Sequence, residues 1–176
     1  MVDVVSTGRV FNGFEANEAD PSKAQDLQKF LRFRIEQEVI GLLPANIVTA
    51  IIQIPGDEIL PAPQMHPCVM GVYNWRSEIV WMVDLPYLLG YSPTERATDS
   101  AVTANLLVAI AKQQERILGL VIPKVEDLIE LDVNEVHSPS TELFSGQSFP
   151  FLEGYFMSAE QEIMLLLKPD KIFALE

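Results

Sequence analysis

Gly71-Val-Tyr-Asn-Trp-Arg-Ser-Glu-Ile-Val-Trp-Met-Val-Asp-Leu85, with the Pro86-Tyr-Leu-Leu-Gly90 that follows it, is the stretch on which the reading of this chain turns. Val69 to Tyr73 and Ile79 to Val83 are strand-like runs joined across Asn74 to Glu78. Asp84 then stands where a helix N-cap belongs, Pro86 fits a first helical turn, and Gly90 supplies a stop. The expectation is a hairpin followed by a short helix at Leu85 to Leu89.

The pattern repeats outward. In Phe30-Leu-Arg-Phe-Arg-Ile35 the apolar Leu31, Phe33 and Ile35 alternate with Arg32 and Arg34, the period of a half-buried strand. Gln37-Glu38 makes a turn, and Val39 to Leu43 is the returning arm. Pro44 opens a short helix expected over Pro44 to Ala50, and Pro61 to Pro67 is an extended connection. Downstream, Leu106 to Ala111 and Ile117 to Ile122 form a second hairpin. Val125 onward alternates again, and Leu152 to Met157 pairs with Ile163 to Leu167. Asp170 to Leu175 reads as a terminal helical turn. Ser92 to Thr103 and Ser138 to Pro150 read as loops, and residues 1–28 as a flexible leader before one domain over 29–176. Many short strands with few helices make this an all-β fold with short helices, a small barrel or sandwich.

Composition removes several function classes. The chain has 25 acidic and 12 basic side chains among 176 residues, a formal charge of -13. That balance argues against gripping nucleic acid, which needs a Lys/Arg surface. A single cysteine, Cys68, excludes an internal disulfide framework and fits a reducing compartment. Two histidines and one cysteine do not by themselves build a structural zinc site. The longest uncharged run, Val39 to Gly56, is interrupted by Pro44, Asn46 and Pro55, so no membrane insertion is expected. Residues 1–20 lack the basic start and apolar stretch of a signal peptide, and the expected location is cytoplasmic.

No catalytic apparatus is legible. No serine sits in a nucleophile elbow, His66 and His137 have no positioned partner, and no glycine loop cradles phosphate. Cys68, between Pro67 and Val69-Met70, reads as an inert buried thiol. No catalytic residue, metal or cofactor is expected.

The ordered set of motifs resembles the CheW family of chemotaxis coupling proteins. That family carries a Gly-x-x-Asn-Leu-Arg-Gly run, a strand ending in Val-Asp-Leu and a short helix closing on Leu-Gly. Gly71, Asn74, Arg76, Val83, Asp84, Leu85, Leu89 and Gly90 stand at the matching places. Val48 and Ile51, the Arg116 to Ile122 run, Val125 to Leu128, Gly154 and the Ile163 to Phe173 tail extend the likeness over Phe30 to Phe173. The chain departs from it at Ser77 for glycine, Trp75 for leucine, and Trp81 at a position often held by proline. Ala50 replaces a glutamate, and Pro123 and Lys168 replace acidic or polar residues. A left-handed turn would cost Ser77 roughly 1 kcal/mol relative to glycine, so a different turn geometry is expected there.

The resemblance implies two intertwined five-stranded SH3-like barrels sharing one core. It also implies a non-catalytic adaptor joining the cytoplasmic helical tip of a methyl-accepting-type chemoreceptor to a histidine kinase's regulatory domain. The receptor helix would enter a groove between the barrels, with Val48, Asn74, Trp75 and Arg76 as candidate contacts. Three of them also have a plainer reading: Val48 is core, Asn74 satisfies its own turn, and Arg76 ties the turn to nearby carbonyls or a carboxylate. Trp75 sits in the connection, where a large aromatic is easily exposed and can anchor a partner. Trp81, on the parity of Ile79 and Val83, is expected in the core. The acidic run Glu126, Asp127, Glu130, Asp132 and Glu135 reads as a solvated face that can also steer a basic partner. The rival function is a stand-alone barrel binding a small ligand in its groove.

Overall fold

The computed structural model describes residues 25–94, 104–144 and 146–175. The leader expected at 1–28 lies outside these except at its end, where the first strand begins at Leu27. The loop expected at 92–103 is described only as far as Thr94.

The described residues form ten strands. They are β1 (Leu27–Glu36), β2 (Val39–Pro44), β3 (Val48–Pro55), β4 (Val69–Trp75), β5 (Glu78–Asp84), β6 (Asn105–Gln113), β7 (Arg116–Ile122), β8 (Lys124–Asp132), β9 (Leu152–Met157) and β10 (Ile163–Leu167). Two short helices, α1 (Leu85–Leu88) and α2 (Pro169–Phe173), follow β5 and β10. The strands make two five-stranded sheets, ordered β8-β1-β2-β10-β9 and β3-β6-β7-β5-β4. The second, barrel B, is continuous in sequence and is inserted between the two parts of the first, barrel A. This is the intertwining that the motifs implied.

The barrels are copies of one topology. Mapping β3, β4, β5, β6 and β7 onto β8, β9, β10, β1 and β2 reproduces the strand order, both parallel pairs (β5 with β7, β10 with β2) and both helices. Each barrel's edges are drawn together by one bridge, Leu60 to Val72 in barrel B and His137 to Tyr155 in barrel A. In both, the residue before the bridging strand residue is glycine. A Cβ on Gly71 would overlap the Leu60 carbonyl, and one on Gly154 would crowd the His137 carbonyl oxygen. Gly71 also has φ of 143°, a conformation side chains resist.

One expectation changes, and the shared core gains detail. Val48-Thr-Ala-Ile-Ile-Gln-Ile54 is strand β3, and the helix expected over Pro44 to Ala50 shrinks to a single 3-10 turn at Ala45–Ile47. Its five β-branched residues crowd a helix but pack well on a pleated sheet. The single core resolves into three clusters. The central one does join the barrels, with Leu31, Phe33, Ile35 and Leu165 of A meeting Val83, Ala109, Leu120 and Ile122 of B. Each barrel also has its own interior, around Val80, Met82 and Ile110 in B and around Phe30, Leu42 and Phe156 in A.

The helix reading at Asp84 is met in full. Its carboxylate, wholly buried, accepts hydrogen bonds from the Tyr87 amide at 3.1 Å and the Thr94 amide at 2.9 Å, so it caps α1 and holds the chain beyond it.

Candidate groove on the outer face of barrel B

The β4–β5 hairpin turns on two residues, Arg76 at φ 51° and Ser77 at φ 68°, between the paired Trp75 and Glu78. Positive φ at both central positions is the type I′ geometry that matches the twist of a hairpin. The different turn expected from Ser77 is therefore not adopted. The sheet imposes the left-handed turn, and Ser77 bears the strain that a glycine would relieve.

The turn separates the four candidate residues. Trp75 is the last residue of β4 and shares the inward parity of Tyr73. It is half-buried against barrel B's interior and is not exposed in the connection. The Arg76 guanidinium carbon lies 4.8 Å from the Trp75 ring centroid, so the pair stacks over the barrel mouth. Asn74 is exposed on the opposite, outer face, beside Ile79. Val48 begins β3, half-buried at the margin of the central cluster, and pairs with Ala111.

Strand register shows what lies between Val48 and Asn74. Val48 pairs with Ala111, Ala111 with Leu118, Leu118 with Trp81, and Trp81 with Val72. One apolar row thus crosses all five strands of the outer face, and Val48 stands three strand spacings from Trp81, on the order of 14 Å. Barrel A covers part of this face, since Ala111 is fully buried. It leaves Trp81 38% exposed and Ile79, two residues back on the same face, 67% exposed, while Val48, Leu118 and Val72 are half-buried. This corrects the expectation that Trp81 is core. Val80 and Met82 hold the interior positions of β5, and Ile79 and Trp81 face out. The uninterrupted apolar run Ile79 to Val83 does not reveal its own parity. No local signal assigns the sides, since the charged Glu78 shares the parity of the interior Val80 and Met82.

Barrel A places α2 against the β6–β7 hairpin. Arg116, on the outer face of β7 beside Leu118, donates a 2.7 Å hydrogen bond to the Phe173 carbonyl at the end of α2. Gln113, its neighbour on β6, donates to the Asp170 carboxylate at the start of α2. These two contacts tie α2 of barrel A to the β6–β7 hairpin of barrel B.

Elsewhere the chemistry is structural. Cys68 is fully buried, and desolvation pushes its thiol up to about 11, so it is a poor nucleophile at neutral pH. His66 Nδ1 lies 2.9 Å from its sulfur. The acidic run is engaged across β1. Arg32 grips Asp127 with two hydrogen bonds of 2.8 and 2.9 Å, and Arg34 reaches Glu126 at 2.8 Å. The hydrogen bond from Arg34 holds the Glu126 carboxyl below its usual range. Among the described residues no cluster of three His, Cys, Asp or Glu side chains is placed to hold a metal ion. A recess of about 570 Å³ lies between the barrels, with Glu36 and Lys124 from A and Gln53 and Asn105 from B on its walls.

The CheW-like domain family matches residues 29–176, nearly the whole span of both barrels. The chain belongs to that family. Among curated proteins it is similar to "Probable chemotaxis protein CheW" of Rhizobium etli, 22% identical over 112 residues, covering 64% of this chain and 67% of that protein. It is also similar to "Chemotaxis protein CheW" of Rhizobium meliloti, 24% identical over 116 residues, covering 66% of this chain and 70% of the relative. Among solved structures, the scaffolding protein TtCheW from Thermoanaerobacter tengcongensis superposes with a TM-score of 0.65 at 18% identity. The match covers 85% of this chain and 88% of that one. That likeness carries the CheW fold. Among the described residues no helix is long and apolar enough to cross a membrane.

Proposed function

We propose that this CheW-family chain is a non-catalytic adaptor of chemotaxis-type signalling, working in the cytoplasm as one domain from residue 29 onward. It couples the helical tip of a methyl-accepting-type chemoreceptor to a histidine kinase's regulatory domain. The observation that carries the receptor half of this reading is the exposed apolar pair Trp81 and Ile79 on the outer face of β5, next to the half-buried Leu118 at the margin of the shared core. A receptor helix laid along this face would set an apolar stripe on that pair and polar groups toward Arg76 and Asn74, while the kinase domain would meet the barrel ends. The relatives' names, chemotaxis protein and scaffolding protein, agree with this.

The test is to titrate a receptor-tip fragment and a kinase regulatory domain against wild type, Trp81→Ala and Arg76→Ala. Trp81→Ala should weaken receptor binding by about 2–4 kcal/mol, the scale of an aromatic anchor. Arg76→Ala should cost about 1–3 kcal/mol, the scale of a charge-assisted contact. Kinase binding and melting temperature should hardly move. Equal loss of both partners with a lower melting temperature would sink the groove.

A further inference from the structure

The pseudo-symmetry pairs two edge strands residue by residue, and they are built differently. β3 and β8 each run along the outer side of a sheet, and each carries one bulged residue, Thr49 in β3 and Glu126 in β8. Aligned on that bulge, Val48 matches Val125, Ala50 matches Asp127, Ile51 matches Leu128, Gln53 matches Glu130 and Pro55 matches Asp132. Each of the four acidic residues of β8 therefore has an uncharged counterpart in β3. Charge on an edge strand is one device by which a sheet refuses another strand. β8 carries four acidic residues, whereas β3 carries no charge and has only the bulge at Thr49, which β8 shares, and Pro55 at its end.

We infer that the edge of β3 is an interaction surface whose occupant is β3 of a second copy of this chain. The two strands would run antiparallel about a twofold axis at Ile51, joining two barrel B sheets into one. The sequence of β3 is complementary to itself in that register. Ile51, 40% exposed on the outer face, meets its own counterpart, and Thr49 meets Gln53 of the second copy. Ala50 meets Ile52 on the inner face. All are neutral, and opposed β-branched and Thr/Gln side chains are favourable cross-strand neighbours. The same operation on β8 would set Glu126 against Glu130 of the second copy twice over, a repulsive pairing. Such a contact is isologous, so it closes at a dimer. It uses the backbone edge of the sheet and not the outer face proposed for the receptor helix.

The experiment is sedimentation velocity on the full chain over a concentration series, with melting curves alongside. Wild type and Leu128→Lys should both show a dimer that dissociates on dilution. Ile51→Lys, which places two cations together at the axis, should remain monomeric throughout with its melting temperature unchanged. If Ile51→Lys melts early, Thr49→Glu combined with Gln53→Glu carries the test. Both side chains are exposed, and the pair transplants the charge pattern of β8. It too should be monomeric. A wild type that is monomeric at every concentration, or a dimer that survives these substitutions, overturns the proposal.

Discussion

Barrels A and B hold the same row of outward-facing positions and fill it in opposite ways. In A the row reads Val125, Phe33, Gly41, Leu165 and Tyr155; in B it reads Val48, Ala111, Leu118, Trp81 and Val72. Phe33 in A faces the position that Ala111 takes in B, and Gly41 leaves room for the Phe33 ring where B has Leu118. Barrel A thus sends its bulk into the shared core, and its Leu165 is only 3% exposed. Barrel B keeps its small residue in the core and carries its bulk outward, to Trp81. One topology has been used once to hold the molecule together and once to present an apolar surface. The charges divide in the same sense, because Arg32–Asp127 in A occupies the place of Ile110–Ala50 in B.

The comparison breaks most visibly at the paired glycines. Gly71→Ala should cost about 3–5 kcal/mol, since the added methyl meets a backbone carbonyl and the residue also has a positive φ. Gly154→Ala meets its carbonyl without the second penalty and should cost less. Denaturant melts of both variants check the order, and a milder effect at Gly71 would show the two bridges to be built differently.

Leu165→Ala tests the row itself. Emptying a buried position in the shared core should lower stability by about 2–5 kcal/mol. Trp81→Ala, at the matching position of B, should leave the melting temperature almost unchanged. Equal destabilisation by the two would mean that Trp81 belongs to the core after all.

Ser77→Gly should stabilise the chain by about 1 kcal/mol by relieving a left-handed serine. The matching hairpin of barrel A, closing on Ser158 to Glu162, holds its own left-handed residue at Gln161, with φ of 63°, so Gln161→Gly should give a similar gain there. A neutral or destabilising result for Ser77→Gly would mean that the Ser77 side chain makes a compensating contact.

The smallest effect is electrostatic. Glu126 has its carboxyl pKa lowered in the folded state, first by the hydrogen bond from Arg34. Its contribution is therefore present above the unfolded carboxylate pKa and fades as pH falls through the folded value. Glu126→Gln should flatten the acid side of the stability profile slightly, and salt should shrink the difference. A profile unchanged by the substitution would remove this ion pair from the account of barrel A.

How much of this was open to a reader of the sequence varies with the physics of each segment. β1 was legible because Arg32 and Arg34 break an apolar run at every second position. α1 was legible because Asp84, Pro86 and Gly90 are local signals whose meaning does not depend on the rest of the chain. β3 was not, because Pro44 and the 3-10 turn after it imitate a helix start, while the strand owes its form to pairing with the distant β6. The outward face of β5 was hidden for a related reason: Ile79 to Val83 is apolar on both faces, and only the packing of barrel A against one of them assigns the sides. Asn74, Trp75 and Arg76 were found together on the chain, but strand alternation sends Trp75 inward and Asn74 outward.

Receptor binding should bury the exposed Trp81 on the outer face of barrel B. The chain has two tryptophans, so a Trp75→Phe protein reports on Trp81 alone. Its fluorescence should be recorded while a receptor-tip fragment is titrated to saturation, and again with a kinase regulatory domain. The account predicts a blue shift and protection from quencher with the receptor fragment, and no change with the kinase domain. Saturable receptor binding with Trp81 emission unmoved would contradict it.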